Sequence, residues 1–210
     1  ACFSPEVSVS FHRSRRSERL SPETIGMYSS STVHDLQKAL TPEYVRILQV
    51  IHIAIVTGAL FFLMVVLFVS GVRGDGITGD VEVVRLLSIV HLGFGLSVYG
   101  AATYLYESKF RISAHVQSGP QLAETFLGAL RTASIIRLAM FEGVAFFGLV
   151  VCLVAAQAGI LKGNPEYWLN ALSTVILVGL VATTFPSTER IEALFREKVL
   201  DIGLRPTPIH

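Results

Sequence analysis

One carboxylate lies deep inside an apolar stretch of this chain, and it is the first candidate for chemistry. Glu142 follows Arg131 by 11 residues, which on a helix places it about 17 Å further along the axis. In a hydrocarbon core about 30 Å thick this position is near the midplane, where an ionised carboxylate is costly. Glu142 is therefore a candidate proton- or ion-binding group. The structural alternative is a protonated Glu142 hydrogen-bonded to a neighbour such as Thr57, Ser97 or Tyr99.

The other polar residues in apolar runs favour packing over chemistry. His52 and His91 lie near opposite ends of neighbouring runs, so they cannot ligate one b-type haem, and polar packing or a partner contact is the better interpretation. Arg137 is five residues before Glu142, about 140° round a helix, and is close enough to the inner surface to act as an interface anchor.

Signals for enzymatic chemistry are absent from the sequence. The two cysteines, Cys2 and Cys152, have neither a disulfide framework nor metal-binding spacing. No phosphate-binding loop and no nucleophile beside a base occurs. The sequence thus predicts a non-enzyme with no haem or metal, for which bound lipids are the expected small molecules.

Composition indicates the environment of these residues. Of the 210 residues, 51% are hydrophobic and 16% are charged, against about 25% charged in ordinary soluble domains. The mean hydropathy is +0.58. A free soluble enzyme is excluded, and the net charge of +1 offers no basic field for nucleic acid.

The charge-free runs predict four transmembrane helices. Uncharged runs of 26, 21 and 22 residues follow Arg46, Arg85 and Glu166, and about 20 residues span a bilayer. A further run after Arg131 is apolar apart from Arg137 and Glu142. The predicted spans are 46–70, 86–106, 133–160 and 168–186.

The basic residues predict the orientation of these spans. Fourteen of the 17 lysines and arginines lie in segments 1–46, 107–137 and 188–210. The positive-inside rule then places both termini and the 107–131 loop in the cytoplasm. We expect a multi-pass protein of the bacterial inner membrane.

Residues that typically start or end helices divide the chain further. Thr41 followed by Pro42 and Glu43 is typical of a helix start, and residues 33–40 before it form an amphipathic stretch for the membrane interface. Pro186 ends the fourth span, and a helix with Ile191, Leu194, Phe195 and Val199 on its apolar side follows. The predicted units are a polar basic arm (1–31), a first hairpin with its lead-in helix (32–106), a cytoplasmic loop (107–131), a second hairpin (132–186) and a C-terminal helix and tail (187–210).

An internal repeat relates the first and third spans at an offset of 85 residues. Arg46 aligns with Arg131 as an interface anchor, and Ala54 and Gly58 align with Ala139 and Gly143. The fold class predicted is an all-α membrane protein of four transmembrane helices, built as two tandem parallel hairpin repeats. The shared Ala-x-x-x-Gly pattern predicts a close helix seam, either within the chain or between subunits. Gly93, Gly95 and Gly100 have no side chains, so they also allow another helix to pack closely on the second span.

Residues 131–153 resemble the carboxylate-bearing helix of subunit c proteolipids of ATP synthases. The matching features are Arg131, Leu138-Ala139, Glu142 and the run Phe147-Gly148-Leu149-Val150-Val151. The resemblance implies that Glu142 is the ion-binding carboxylate of a helix in an oligomer. It covers about 23 of the 210 residues, and the whole chain also resembles small uncharacterised bacterial four-span proteins.

Three functions are compatible with the sequence. The first is a non-catalytic subunit that assembles or stabilises a larger respiratory, photosynthetic or similar membrane complex. The second is a proteolipid-like subunit that moves protons or cations through Glu142 in a homo-oligomer. The third, with less support, is a small stand-alone transporter. The expected partners are membrane lipids and other membrane subunits.

Overall fold

Helices are the only regular secondary structure in the part of the chain that the structure describes. The computed structural model describes residues 33–72, 79–113 and 120–200, so the predicted N-terminal arm lies outside them. Within these ranges there is no strand. The elements are α1 (33–39), α2 (Pro42–Val72), α3 (Val81–Ser113), α4 (Pro120–Gln157), a 3-10 helix (Pro165–Ala171), α5 (Leu172–Thr184), α6 (Thr188–Phe195) and a π-helical turn (Arg196–Leu200).

Four segments are long and apolar enough to cross a membrane, which confirms the four predicted spans. They are Pro42–Val72, Val81–Phe110, Gln121–Gln157 and Pro165–Thr184. The protein is therefore a multi-pass membrane protein.

The loop predicted at 107–131 is mostly helical. α3 continues to Ser113 and α4 begins at Pro120, so the connection is much shorter than charge counting predicted. Charged side chains end an apolar run without interrupting the backbone hydrogen bonds of a helix. No proline or glycine occurs between Glu107 and Ser113 to end α3 earlier.

The predicted starts of two helices are confirmed, one before the first span and one after the fourth span. Pro42 is the first residue of α2, and the Thr41 hydroxyl accepts a hydrogen bond from the Tyr44 backbone N–H at 3.3 Å. The Ser187 hydroxyl accepts from the Arg190 N–H at 3.3 Å at the start of α6, directly after Pro186. Each hydroxyl satisfies one of the free N–H groups of a helix start.

The end of α4 is fixed by a glycine in the left-handed region. Gly159 has a φ of 69°, a conformation that side chains with a Cβ rarely adopt. The Ile160 N–H donates to the Ala155 carbonyl and the Gly159 N–H to the Ala156 carbonyl, which is the Schellman pattern. Ile160 is fully buried after the turn, so the chain folds back toward the 3-10 helix and α5.

α4 is the central helix of the bundle, and α2, α3 and α5 pack around it. In the most apolar stretch of α4, 50% of the residues are buried, against 11% in α2 and 17% in α3. α2 and α4, which the repeat aligns, therefore have different environments.

The end of the bundle that includes α6, called here the α6 end, has an aromatic core. The rings of Phe110, Phe126 and Phe195 follow one another at centroid distances of 5.7 and 5.0 Å, joining α3, α4 and α6. Leu36 of α1 is fully buried in the same cluster, so α1 packs onto the bundle. The predicted apolar side of α6 is confirmed by buried Ile191 and Phe195, while the side chain of Val199 lies outside the described residues.

Candidate functional site: the Glu142 face

Glu142 lies on the side of α4 that meets α2. Its Oε1 atom is 3.9 Å from the point that a Cβ on Gly58 would occupy, and the Phe146 ring lies at the same distance from that point. The side chain is half-buried. Gly58 thus leaves space beside the carboxyl group that a large side chain at this position of α2 would fill.

The structure does not bring the predicted hydrogen-bond partners to Glu142. Thr57 is exposed on α2, and the Ser97 hydroxyl donates to the Gly93 carbonyl of its own helix at 2.9 Å. The Tyr99 ring packs on Phe141 at 4.6 Å. Within the described residues Glu142 forms no hydrogen bond or ion pair.

Small residues of α4 face outward beside this carboxyl group. Ala139, Gly143 and Val150 are exposed, and a Cβ on Gly143 would meet no atom within 4 Å. Ala139 and Gly143 are four residues apart and Val150 follows seven residues later, so the three lie on one side of the helix. Glu142, three residues after Ala139, lies at the edge of that side. We call this surface the Glu142 face, and define it as Ala139, Glu142, Gly143 and Val150.

The predicted Ala-x-x-x-Gly seams are used differently in the two spans. Gly58 lies against α4, whereas Ala54 is exposed. Ala139 and Gly143 both face outward. An intrachain seam is therefore confined to Gly58, and the seam of α4 is open to other molecules.

α3 has a second outward strip of small residues. Gly93, Ser97 and Gly100 are exposed at spacings of four and three, and neither glycine would bring a Cβ within 4 Å of another atom. Only Gly95 packs within the chain, where its Cβ position is 3.2 Å from Val144 Cγ1.

A polar network at the opposite end of the bundle joins α3, α4 and the 3-10 helix. His91 Nδ1 lies 3.0 Å from Asn170 Oδ1, and His91 Nε2 lies 3.2 Å from the Val144 carbonyl. The Asn170 amide donates to the Ser88 hydroxyl and to the Tyr167 carbonyl, both at 2.9 Å. Both ring nitrogens of His91 face oxygen atoms of the bundle, and a neutral ring donates to one of them. The buried ring is therefore packed within the chain, in line with the polar packing that the sequence favoured.

Sequence reasoning missed Asn170 as the centre of this network. The residue in the sequence that relates to this network is Gly148 of the third span. Only a glycine at this position lets α4 approach the 3-10 helix so closely. A Cβ on Gly148 would overlap the Asn170 carbonyl oxygen and lie 2.6 Å from Ser173 Oγ and 2.9 Å from His91 Cε1.

The predicted interface anchors differ in their surroundings. Arg46 and Arg131 are exposed at the α6 end, in keeping with an interface position. Arg137 is half-buried, and its guanidinium carbon lies 4.8 Å from the Tyr106 ring centroid and 5.8 Å from that of Phe141. Its guanidinium is directed into the bundle and forms cation–π contacts with these rings. Arg137 is therefore not a simple interface anchor whose side chain extends toward water.

The α6 end also has an ion-pair cluster. Lys198 Nζ lies 3.0 Å from a Glu107 carboxylate oxygen and 3.3 Å from a Glu197 one. Burial disfavours the charged lysine, but the hydrogen bonds and charges of these two carboxylates outweigh it and raise the Lys198 pKa. Lys198 is therefore protonated at physiological pH and joins the π-helical turn after α6 to Glu107 of α3.

Comparison with known proteins provides no template for this arrangement. No protein-family model, no curated protein and no solved structure matches the chain.

Proposed function

We propose that this protein is a non-catalytic membrane subunit that assembles or stabilises a larger energy-transducing complex. In this proposal it lies in the bacterial inner membrane, and its α6 end and both termini are cytoplasmic. The excess of basic residues in the flanking segments supports that orientation. The fold is proposed to be two parallel hairpin repeats, α2–α3 and α4–α5, in which Glu142 replaces Thr57 of the first copy.

The observation that supports this function is the outward direction of the small residues beside an unpartnered carboxyl group. In lipid there is no hydrophobic force between helices, so close association depends on small residues and on polar groups that find partners. Gly143 and Ala139 are such small residues, and Glu142 is such a polar group. Because the chain offers Glu142 no partner among its described residues, we propose that a helix of another subunit does.

In this account Glu142 is protonated and hydrogen-bonded across the interface. An ionised carboxylate near the bilayer midplane is costly, whereas the neutral acid can donate one hydrogen bond and accept another. The carboxyl group then specifies the position of a partner helix and transfers no proton.

The alternative is a proteolipid-like subunit that moves protons or cations through Glu142. It is favoured by the resemblance of residues 131–153 and by the access of Glu142 to the outside of the bundle. A carboxyl group that must load and release an ion needs such access. Here the partner helix would belong to a second copy of this chain or to a stator-like subunit.

Two substitutions at Glu142 distinguish these functions. Because glutamine has nearly the same shape and can still donate and accept hydrogen bonds, Glu142→Gln should leave the native particle intact and its coupled transport unchanged. Glu142→Leu removes the polar group, and we expect association to weaken about tenfold, as for the loss of 1–2 kcal/mol from one interhelical hydrogen bond. The measurement is the fraction of the tagged chain that co-purifies with its partners in mild detergent.

Carbodiimide modification provides the complementary test. Loss of proton flux in Glu142→Gln vesicles, together with carbodiimide labelling of wild-type Glu142, would contradict the accessory role and support ion translocation. Glu166→Gln is the matched control, because Glu166 is exposed at the opposite end of the bundle.

A further inference from the structure

A charged cavity lies at the α6 end, on the side of the bundle away from the His91 network. Its volume is about 220 Å³, many times the roughly 10–15 Å³ that one water molecule needs. Side chains from α2, α3, α4 and α6 line it, among them Tyr106, Ser134, Arg137 and Arg190. The cavity lies toward the α6 end of the candidate spans, since Tyr106 and Thr184 in its lining are close to the ends of their spans.

The positive charge in this cavity is not balanced by the carboxylates around it. Arg137, Arg190 and Lys198 contribute three cationic groups, and Glu107 and Glu197 contribute two carboxylates. Both carboxylates are bound by Lys198. Within the described residues neither Arg137 nor Arg190 forms an ion pair.

Arg137 in particular has unused hydrogen-bonding capacity. Its Nε atom is buried and has no acceptor in the described part of the chain. The neighbouring rings of Tyr106 and Phe141 stabilise the positive charge, but they do not accept hydrogen bonds as an oxyanion does. No hydrogen bond from the rest of the guanidinium occurs in the described part of the chain either, and Arg137 lines the cavity, so a ligand with several acceptor oxygens would be favoured here.

We infer that this cavity binds a phosphate group, held by Arg137 and Arg190. The planar guanidinium forms paired hydrogen bonds to phosphate oxygens, and the Ser134 hydroxyl in the same wall can donate a further one. Basic pockets between transmembrane helices at the cytoplasmic side are typical sites for anionic phospholipid headgroups. The phosphate can belong to such a headgroup or to a free anion. Arg137 lies on α4 five residues before Glu142, but Glu142 does not line the cavity. The inference rests on the proposed cytoplasmic orientation of the α6 end and not on the proposed accessory role.

The test uses the full-length protein in phosphate-free detergent buffer. Native mass spectrometry counts the bound molecules of phosphatidylglycerol, with phosphatidylcholine as the zwitterionic comparison. In a second arm, inorganic phosphate is added against chloride at equal ionic strength, and the thermal unfolding midpoint is recorded. A ligand that binds the folded state raises the midpoint, and the rise grows with the logarithm of ligand concentration above its Kd.

Arg190→Gln is the principal variant, because Arg190 is exposed and its replacement disturbs little packing. We expect it to weaken phosphatidylglycerol binding about tenfold, and Arg137→Gln to weaken it at least as much. Arg196→Gln is the matched control, since Arg196 is exposed in the adjacent turn but does not line the cavity.

The two arms distinguish the source of the phosphate. Preferential binding of phosphatidylglycerol with no rise of the unfolding midpoint in inorganic phosphate supports a headgroup site. A rise of the midpoint in inorganic phosphate as well supports a site for the anion itself. Equal binding by the Arg190→Gln and Arg196→Gln variants would overturn the inference. So would equal retention of phosphatidylcholine and phosphatidylglycerol combined with no effect of phosphate.

Discussion

Replacing Gly148 by alanine is expected to lower the free energy of unfolding by about 3 kcal/mol, at the upper end of the range for overpacking a buried site. The added methyl group would overlap the Asn170 carbonyl oxygen and lie 2.6 Å from Ser173 Oγ. The obstacles include rigid backbone of the 3-10 helix, so α4 has to move away. That movement breaks the hydrogen bond between His91 and Asn170 and leaves buried polar groups unpaired.

Gly143→Ala is the matched control for this prediction. It makes the same chemical change in the same helix, but its Cβ would meet nothing within 4 Å. We expect its unfolding free energy to equal that of the wild type or to exceed it by up to about 1 kcal/mol, because alanine favours a helix over glycine. Unfolding in mixed micelles can be followed by the fluorescence of Trp168, the only tryptophan, which packs against the cluster around Val151 and Ala155. Equal stabilities of the two alanine variants would contradict the close contact between α4 and the 3-10 helix at Gly148.

Replacing Gly143 by leucine is expected to weaken association with partner subunits at least a hundredfold while the isolated chain stays folded. The larger side chain projects outward from the Glu142 face into space that is open within the chain. A partner helix that packs closely on Ala139 and Gly143 would be pushed away by the leucine, and its hydrogen bond with Glu142 would be lost. The combined loss of packing and of one hydrogen bond is about 3 kcal/mol, or roughly a hundredfold in affinity.

Gly71→Leu tests whether the effect is specific to this face. Gly71 also has no atom within 4 Å of its Cβ position, but it lies at the end of α2 away from Glu142. We expect this variant to co-purify with the partners as the wild type does. If both leucine variants assemble normally, then the Glu142 face is not the interface.

The four spans and two of the helix starts could be predicted because the bilayer and the helix termini impose strong local rules. A helix that crosses lipid must have about 20 apolar residues, so the charge-free runs locate the most apolar parts of α2 and α3. Both helices extend beyond these runs, to Pro42 in α2 and to Val81 and Ser113 in α3. Thr41 and Ser187 mark helix starts because a hydroxyl there satisfies a free N–H group. The part of α4 before Arg131 could not be predicted in this way. Charged residues mark where a helix leaves the lipid, but they do not mark where its backbone hydrogen bonds end.

The direction of the small-residue faces could not be predicted from the sequence for a related reason. In a soluble protein the buried face of a helix is apolar and the exposed face is polar. In a membrane both faces are apolar, so Gly58 and Gly143 look alike in the sequence although one packs in the chain and the other faces outward. The position of Asn170 beside His91 depends on the turn at Gly159 and the 3-10 helix, which no periodicity indicates.

The mass and composition of the native particle test the central claim most directly. Membranes would be solubilised in mild detergent and the tagged chain isolated for native mass spectrometry. We predict a particle in which one or a few copies of this 22.9 kDa chain are bound to larger, different subunits. An isolated monomer, or a ring made of identical copies of this chain alone, would contradict the proposed accessory role.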